Sequence, residues 1–146
     1  MITRIIIIGL FLGTFGNIPA QSSPEEMVDI CAGQAGDDAT YLKDFQVKLG
    51  VAVEGRPQVA RYPLVLSSNN IYRFSICDLK DSEGKAVIKL YDNNRLIFSS
   101  FSEDTKEEFN PFNFMCRKTG IYHVFISFQE GKPGEAVGIL SYVNKK

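Results

Sequence analysis

The chain has 146 residues, with 16 basic and 17 acidic side chains and one histidine, which gives a formal net charge of −1 at pH 7. No run of basic residues is longer than two, so the sequence lacks the charge pattern typical of nucleic-acid binding. The single histidine excludes zinc proteases and metal sites that need two or more histidines.

The N-terminal segment has the order of a secretory signal peptide. Arg4 precedes an apolar run over residues 5–15, and the small residue Ala20 follows at the expected cleavage point. The run holds eleven residues, whereas a helix that spans a membrane needs about 20. We therefore expect residues 1–20 to be removed and the product to be periplasmic or extracellular, without a transmembrane anchor.

Residues 21–40 are predicted to form a short helix and its lead-in. Ser23 is placed to cap a helix, Pro24 suits the first helical position, and Glu26 completes a capping box. Gly33 and Gly36 end the pattern after about two turns. We expect this helix to cover part of the domain that follows.

Residues 41–146 are predicted to form one β-domain. Phe45, Val47 and Leu49 alternate with polar residues, which is the two-residue period of a half-buried strand. Turn signals recur about every eight to twelve residues, which is typical of an antiparallel β-sandwich or jelly roll. The predicted strands are Phe45–Val51, Val59–Leu66, Ile71–Cys77, Ala86–Tyr91, Arg95–Phe101, Phe109–Cys116, Ile121–Phe128 and Ala136–Val143.

Two of these predicted strands carry additional information. The asparagines of 92–94 favour a tight hairpin between strands 86–91 and 95–101, because asparagine tolerates the positive φ of such turns. The strand 121–128 has large apolar side chains on both of its faces, among them Ile121 and Phe125. That pattern predicts a central strand.

The three cysteines are Cys31, Cys77 and Cys116, an odd number that leaves one thiol over if two of them pair. Cys77 lies on the opposite face of its strand from the large apolar side chains. Cys116 shares its face with the two phenylalanines of its own strand. A Cys77–Cys116 bond would thus join opposite faces, and the pairing among the three cysteines stays open.

No catalytic set is evident. His123 is predicted to lie in mid-strand, and the chain has no GxSxG motif that would place a nucleophilic serine for it. The favoured interpretation is a structural histidine on a sheet face. Most aromatic residues fall at alternating strand positions, which is typical of core, with Tyr41 and Phe101 as exceptions. No tryptophan is available to stack on a sugar.

The loop after the third predicted strand holds the candidate metal ligands Asp78, Asp81 and Glu83. A calcium loop needs oxygen ligands close together and a glycine for its sharp turn. The spacing does not match an EF-hand loop, and Lys80 lies between the acids. A solvated loop is therefore favoured, no cofactor is required, and calcium remains the alternative.

Four short motifs lie in order between residues 70 and 128. They are IYRFSI (71–76), VIKLYD (87–92), the pair Ser99–Ser100, and TGIYHVFI (119–126). This stretch resembles the bacterial pre-peptidase C-terminal domain, a jelly-roll β-sandwich found beside secreted peptidases. The resemblance implies an accessory or recognition module. Where that family often has Asp-x-Asp-Leu, thought to support calcium in some members, this chain has Val87–Leu90, so no calcium site is implied.

Together these patterns favour an exported, non-catalytic β-sandwich that binds another protein or a component of the cell envelope. The alternative is a calcium- or carbohydrate-binding module. An enzyme ranks third, since carboxylates alone can catalyse glycoside hydrolysis. No nucleic-acid partner is expected, and the oligomeric state stays open.

Overall fold

The computed structural model describes Gly16 and residues 23–145. The signal peptide predicted over residues 1–20 therefore lies outside the described residues, apart from Gly16. The helix α1 is Pro24–Gly33. The strands are β1 (Ala39–Leu49), β2 (Ala60–Leu66), β3 (Asn70–Asp78), β4 (Ala86–Asp92), β5 (Arg95–Ser99), β6 (Phe112–Cys116), β7 (Gly120–Phe128) and β8 (Gly134–Val143), with a 3-10 turn at Gln129–Gly131.

The strands form two four-stranded antiparallel sheets that share one core. The first sheet has the strand order β1-β8-β3-β6, and the second has the order β2-β7-β4-β5. Only β4 and β5 are both consecutive in the chain and paired, so every other connection between these strands crosses from one sheet to the other. This order is that of a jelly roll. The prediction of an all-β sandwich of about eight strands with a short N-terminal helix is confirmed.

The β4–β5 hairpin has the tight turn that the asparagines predict. Asp92 pairs with Arg95, which leaves Asn93 and Asn94 as a two-residue loop. Asn93 has a φ of 52°, in the left-handed region that asparagine tolerates better than most residues. The turn residues therefore determine the register of this strand pair.

Inward side chains from both sheets form the core. Phe74 of the first sheet and Ile88, Leu90, Val124 and Ile126 of the second have no accessible surface. Complete burial of one such side chain stabilises the fold by about 1.5–3 kcal/mol. The alternation of these residues along their strands therefore determines which face of each strand points inward.

Helix α1 covers the outer face of the first sheet. Ser23 Oγ accepts a hydrogen bond from the backbone nitrogen of Glu26 at 3.2 Å, which is the cap that the sequence predicts. The helix runs for ten residues, somewhat longer than expected. Beneath it, Val137 and Ile139 of β8 are fully buried on the face opposite the main core.

A disulfide between Cys31 of the helix and Cys77 of β3 fastens α1 to the first sheet. Their Cα atoms are 6.1 Å apart. Cys116 is free and buried among the side chains of the main core. The faces predicted for Cys77 and Cys116 thus agree with the structure, and the pairing that the sequence leaves open is Cys31–Cys77.

Two strands begin three or more residues away from the predicted position. β1 begins at Ala39 rather than Phe45, because its first residues pair with the end of β8 across a bulge between Tyr41 and Lys43. The bulge breaks the alternation on which the prediction depends. β6 begins at Phe112, directly after Pro111, which has no amide hydrogen to donate to a sheet.

Arg73 of β3 connects the loop after the helix to the first sheet. Its Nη1 and Nη2 atoms donate to the two carboxylate oxygens of Asp38 at 2.7 and 3.1 Å, and its Nε donates to Asn113 Oδ1 at 2.8 Å. The backbone carbonyl of Ala35 also accepts a hydrogen bond from Nη1. The hydrogen bond to Asp38 raises the pKa of Arg73 above its ordinary value.

Replacing both Cys31 and Cys77 with serine is expected to lower the free energy of unfolding by about 4 kcal/mol, because the disulfide closes a long loop in the unfolded chain. The sequence separation of the two cysteines is 46 residues. Urea denaturation in oxidising and reducing buffer measures the effect. Reductant should lower the stability of the wild type to that of the variant and leave the variant unchanged. Equal stability of both proteins in oxidising buffer would contradict this account.

The variant Arg73→Met is expected to lose about 2 kcal/mol of stability, because several hydrogen bonds to a charged donor disappear together. Arg56→Met is the matched control, since Arg56 lies exposed in a turn. The control should change the stability by less than about 0.5 kcal/mol. Thermal or urea denaturation measures the stability of both variants. Equal losses of stability in the two would show that the hydrogen bonds of Arg73 do not stabilise the fold.

Candidate functional site

Strand β7 has two apolar faces, but only one of them lies in the core. Tyr122, Val124 and Ile126 point into the sandwich and are buried. Because side chains alternate along a strand, Ile121 and Phe125 point to the outer face of the second sheet. The prediction of a central strand is confirmed, since β7 lies between β2 and β4. Its second apolar face, however, lies outside the core.

The outward side chains of the four strands lie in register across the second sheet. Pro63 of β2 is opposite His123 of β7. His123 is in turn opposite Tyr91 of β4, and Tyr91 is opposite Leu96 of β5. The expected position of His123 on a sheet face is therefore confirmed. These four residues form one row across the whole width of the sheet.

Two further sets of neighbours extend this surface. On one side of the row, Phe125 lies between Arg61 and Lys89 of the neighbouring strands. On the other side, Val65 is opposite Ile121. We name the surface the β7 face. It consists of Arg61, Pro63, Val65, Lys89, Tyr91, Leu96, Ile121, His123 and Phe125.

The apolar part of the β7 face is accessible to solvent. Val65 is 74% exposed and Ile121 is 60% exposed, and the two residues lie directly opposite each other near the end of the β2–β7 pair. Leu96 is also exposed. Within residues 23–145, the one α-helix packs against the first sheet instead. Contiguous exposed apolar side chains of this kind are typical of interaction surfaces.

The β7 face carries cations and no carboxylate. The Arg61 guanidinium carbon lies 4.9 Å from the centroid of the Phe125 ring, within the range of a cation–π contact. The Tyr91 and Phe125 ring centroids are 4.5 Å apart. The whole chain has a net charge of −1, so this face is locally positive on a protein that is slightly acidic.

The structure does not bring the three candidate metal ligands together. Asp78 lines a small cavity of about 30 Å³. Asp81 and Glu83 line a different cleft, of about 290 Å³. Within residues 23–145, no three histidine, cysteine, aspartate or glutamate side chains are grouped closely enough to hold a metal ion.

Asp78 has contacts that indicate a structural role. One of its carboxylate oxygens accepts a hydrogen bond from the backbone nitrogen of Ala86 at 2.8 Å, next to an ion pair between Lys85 and Glu108. Loss of solvent around the carboxyl group raises the pKa of Asp78 above its ordinary value, although the residue as a whole is exposed.

Cys116 and Tyr122 form a polar pair within the core. Tyr122 Oη donates a hydrogen bond to the backbone carbonyl of Lys118 at 2.6 Å, and Cys116 Sγ lies 3.7 Å from the same oxygen. Both residues are buried. Burial, followed by the hydrogen bond with Cys116, raises the pKa of Tyr122 to about 12.

No protein-family model and no curated protein sequence matches the chain. The resemblance to the pre-peptidase C-terminal domain therefore stays a prediction. In the part of the chain that the structure describes, no helix has the length and hydropathy required to cross a membrane.

The pKa of Tyr122 predicts a loss of stability in alkali. It is about 12 in the folded protein and about 10 in an unfolded chain. Above about pH 10 the unfolded chain releases a proton that the folded protein retains, so the free energy of unfolding falls until about pH 12. Below that range the contribution is fully present. In urea denaturation, the free energy of unfolding of Tyr122→Phe should fall less steeply with pH over the same range. A pH dependence equal to that of the wild type would contradict the role of Tyr122.

Proposed function

We propose that the protein is an exported, non-catalytic β-sandwich that binds another protein through the β7 face. The observation that carries the proposal is the exposed apolar pair Val65 and Ile121, continued across the sheet by the row from Pro63 to Leu96. Aromatic residues and arginine surround it, and both are enriched in protein–protein interfaces.

The shape of the β7 face favours a protein partner over a small molecule. Strands lie about 4.8 Å apart, so the row across four strands extends over about 14 Å. Sites for small molecules are concave, whereas this surface is the open face of a sheet. A second macromolecular surface can contact the whole row at once.

The charge of the β7 face favours a partner with acidic residues around an apolar centre. Arg61 and Lys89 are the charged side chains in this register, and no carboxylate lies among the outward positions. Two copies that meet through this face would bring their cations together, which disfavours self-association. Opposite charge on the partner would speed association and set its orientation.

Two features support export. The order of Arg4, the apolar run 5–15 and Ala20 is that of a signal peptide. The Cys31–Cys77 disulfide suits an oxidising compartment such as the periplasm or the extracellular medium.

The alternative is a carbohydrate-binding face. It is favoured by the two aromatic rings of Tyr91 and Phe125 on an accessible sheet. The Arg61 guanidinium already lies over the Phe125 ring, which leaves less of that ring for a sugar. A glycan array with hits that disappear in Phe125→Ala would establish this alternative, and a calcium titration by calorimetry tests the metal-binding form of it.

A photo-cross-linking amino acid at Ile121 is expected to give a covalent adduct with the partner in cells that produce the protein. The matched control is the same replacement at Val53, which is 58% exposed in the connection between β1 and β2 and is not part of the β7 face. Adducts at both positions, or at neither, would contradict the proposal.

The partner identified in this way should bind the purified protein. Ile121→Glu is expected to weaken that affinity at least about tenfold in calorimetry, as for a hot-spot residue, and Val53→Glu should leave it within about twofold. Thermal unfolding of both variants shows whether they remain folded. Unchanged affinity of a folded Ile121→Glu variant would exclude the β7 face as the binding surface.

A further inference from the structure

We propose that the cleft between the edge strands β5 and β6 binds a small amphiphile with one anionic group and a single alkyl chain. No residue that lines this cleft belongs to the β7 face, and the inference goes beyond the function proposed above. β5 is the last strand of the second sheet and β6 is the last strand of the first. The two edges therefore face each other at one side of the sandwich, where neither has a further strand to pair with among residues 23–145.

Aromatic stacking closes one half of this side. The ring of Phe98 in β5 stacks on that of Phe112 in β6 with centroids 4.0 Å apart, and Phe112 stacks on Phe74 at 5.3 Å. Phe109 covers the outer edge of the same group, 6.1 Å from Phe98. Here the two sheets are held together by side chains large enough to span the gap.

The other half is open and forms a cleft of about 290 Å³. Its volume is near the lower end of the range for ligand sites, which is about 300 Å³. The lining residues are Asp92, Arg95, Ile97, Phe114, Met115, Arg117, Lys118 and Tyr122. A site of this size suits a short alkyl chain better than a macromolecule.

The floor of the cleft is apolar and continuous with the core. Ile97 and Phe114 pack against the main core but are only partly buried. The Phe114 ring lies edge-on to that of Tyr122, with centroids 5.5 Å apart. Met115 is 46% exposed at the side of the cleft, and a methionine side chain adapts readily to a flexible apolar ligand. An alkyl chain on this floor would remove core surface from water.

The rim of the cleft is positive. Arg95, Arg117 and Lys118 outnumber the one acidic residue, Asp92. Arg95 lies 3.6 Å from Asp92 and is partly neutralised by it. No ion pair involves Arg117 or Lys118 in the described part of the chain. Two unpaired cations beside an apolar floor match a ligand with one anionic end and one apolar end.

The test uses octanoate as the probe, at concentrations at which it forms no micelles, with the methyl groups of the full chain observed by NMR. Saturable shifts of the Ile97 and Met115 methyls with a dissociation constant below about 1 mM are expected. Octyltrimethylammonium, with the same chain and the opposite charge, should bind at least about tenfold more weakly. No saturable shift, or equal binding of the two amphiphiles, would overturn the proposal.

Variants test the rim and the floor separately. The double variant Arg117→Gln/Lys118→Gln should weaken octanoate binding at least about tenfold. Arg56→Gln/Lys80→Gln, which removes the same charges at exposed positions elsewhere, should not. Met115→Glu places a negative charge beside the floor of the cleft and should abolish binding. The spectra of the β4 and β7 amides report whether each variant is folded. If the rim double variant or Met115→Glu is folded and binds octanoate with wild-type affinity, the proposed site is wrong.

Two further measurements distinguish the cleft from a peptide-binding site and from the β7 face. An acetylated tripeptide that ends in leucine has an apolar side chain and a carboxylate on a peptide backbone. If it binds and octanoate does not, the proposal of an alkyl ligand is wrong. Val65→Glu, on the edge strand β2 of the β7 face, should leave octanoate binding unchanged. Failure of the cleft and failure of the β7 face are therefore distinguishable.

Discussion

The structure depends on the burial of one face of each sheet against the other. A sandwich of two sheets has two further faces, and the described chain has one α-helix with which to cover them. That helix lies on the first sheet, where the Cys31–Cys77 disulfide and the buried Val137 and Ile139 hold it in place. The helix does not cover the outer face of the second sheet. Because β7 is apolar on both sides, this face exposes apolar side chains at positions where a solvated sheet face commonly has polar ones.

The same limit applies at the edges of the sheets. A jelly roll leaves edge strands, and side chains must close the gap between the two sheets where those strands end. Phe98 and Phe112 close one part of the β5–β6 side. Beyond them Ile97 and Phe114 line a cleft with a positive rim. The two surfaces to which we assign binding are thus the places where the sandwich leaves apolar side chains uncovered.

Local patterns predict the elements of this fold better than their arrangement. The cap at Ser23 and the turn at Asn93 depend on neighbouring residues, and both occur as predicted. The first residues of β1 are not predicted to be in a strand, because a bulge follows Tyr41 and breaks the alternation. The β7 face could not be recognised, since Ile121 and Phe125 indicate a central strand whether or not another layer covers them. Only the strand order and the position of the helix show that the helix leaves this face uncovered.

We propose that the β7 face is open in the free protein and covered by a bound partner. Methyl-resolved NMR with a soluble paramagnetic agent can follow this change, with and without the partner recovered by cross-linking. The methyls of Val65, Leu96 and Ile121 should be broadened strongly in the free protein, unlike those of the buried Val124, and protected once the partner is bound. Methyls that are protected in the free protein, or equally broadened in the complex, would contradict the account.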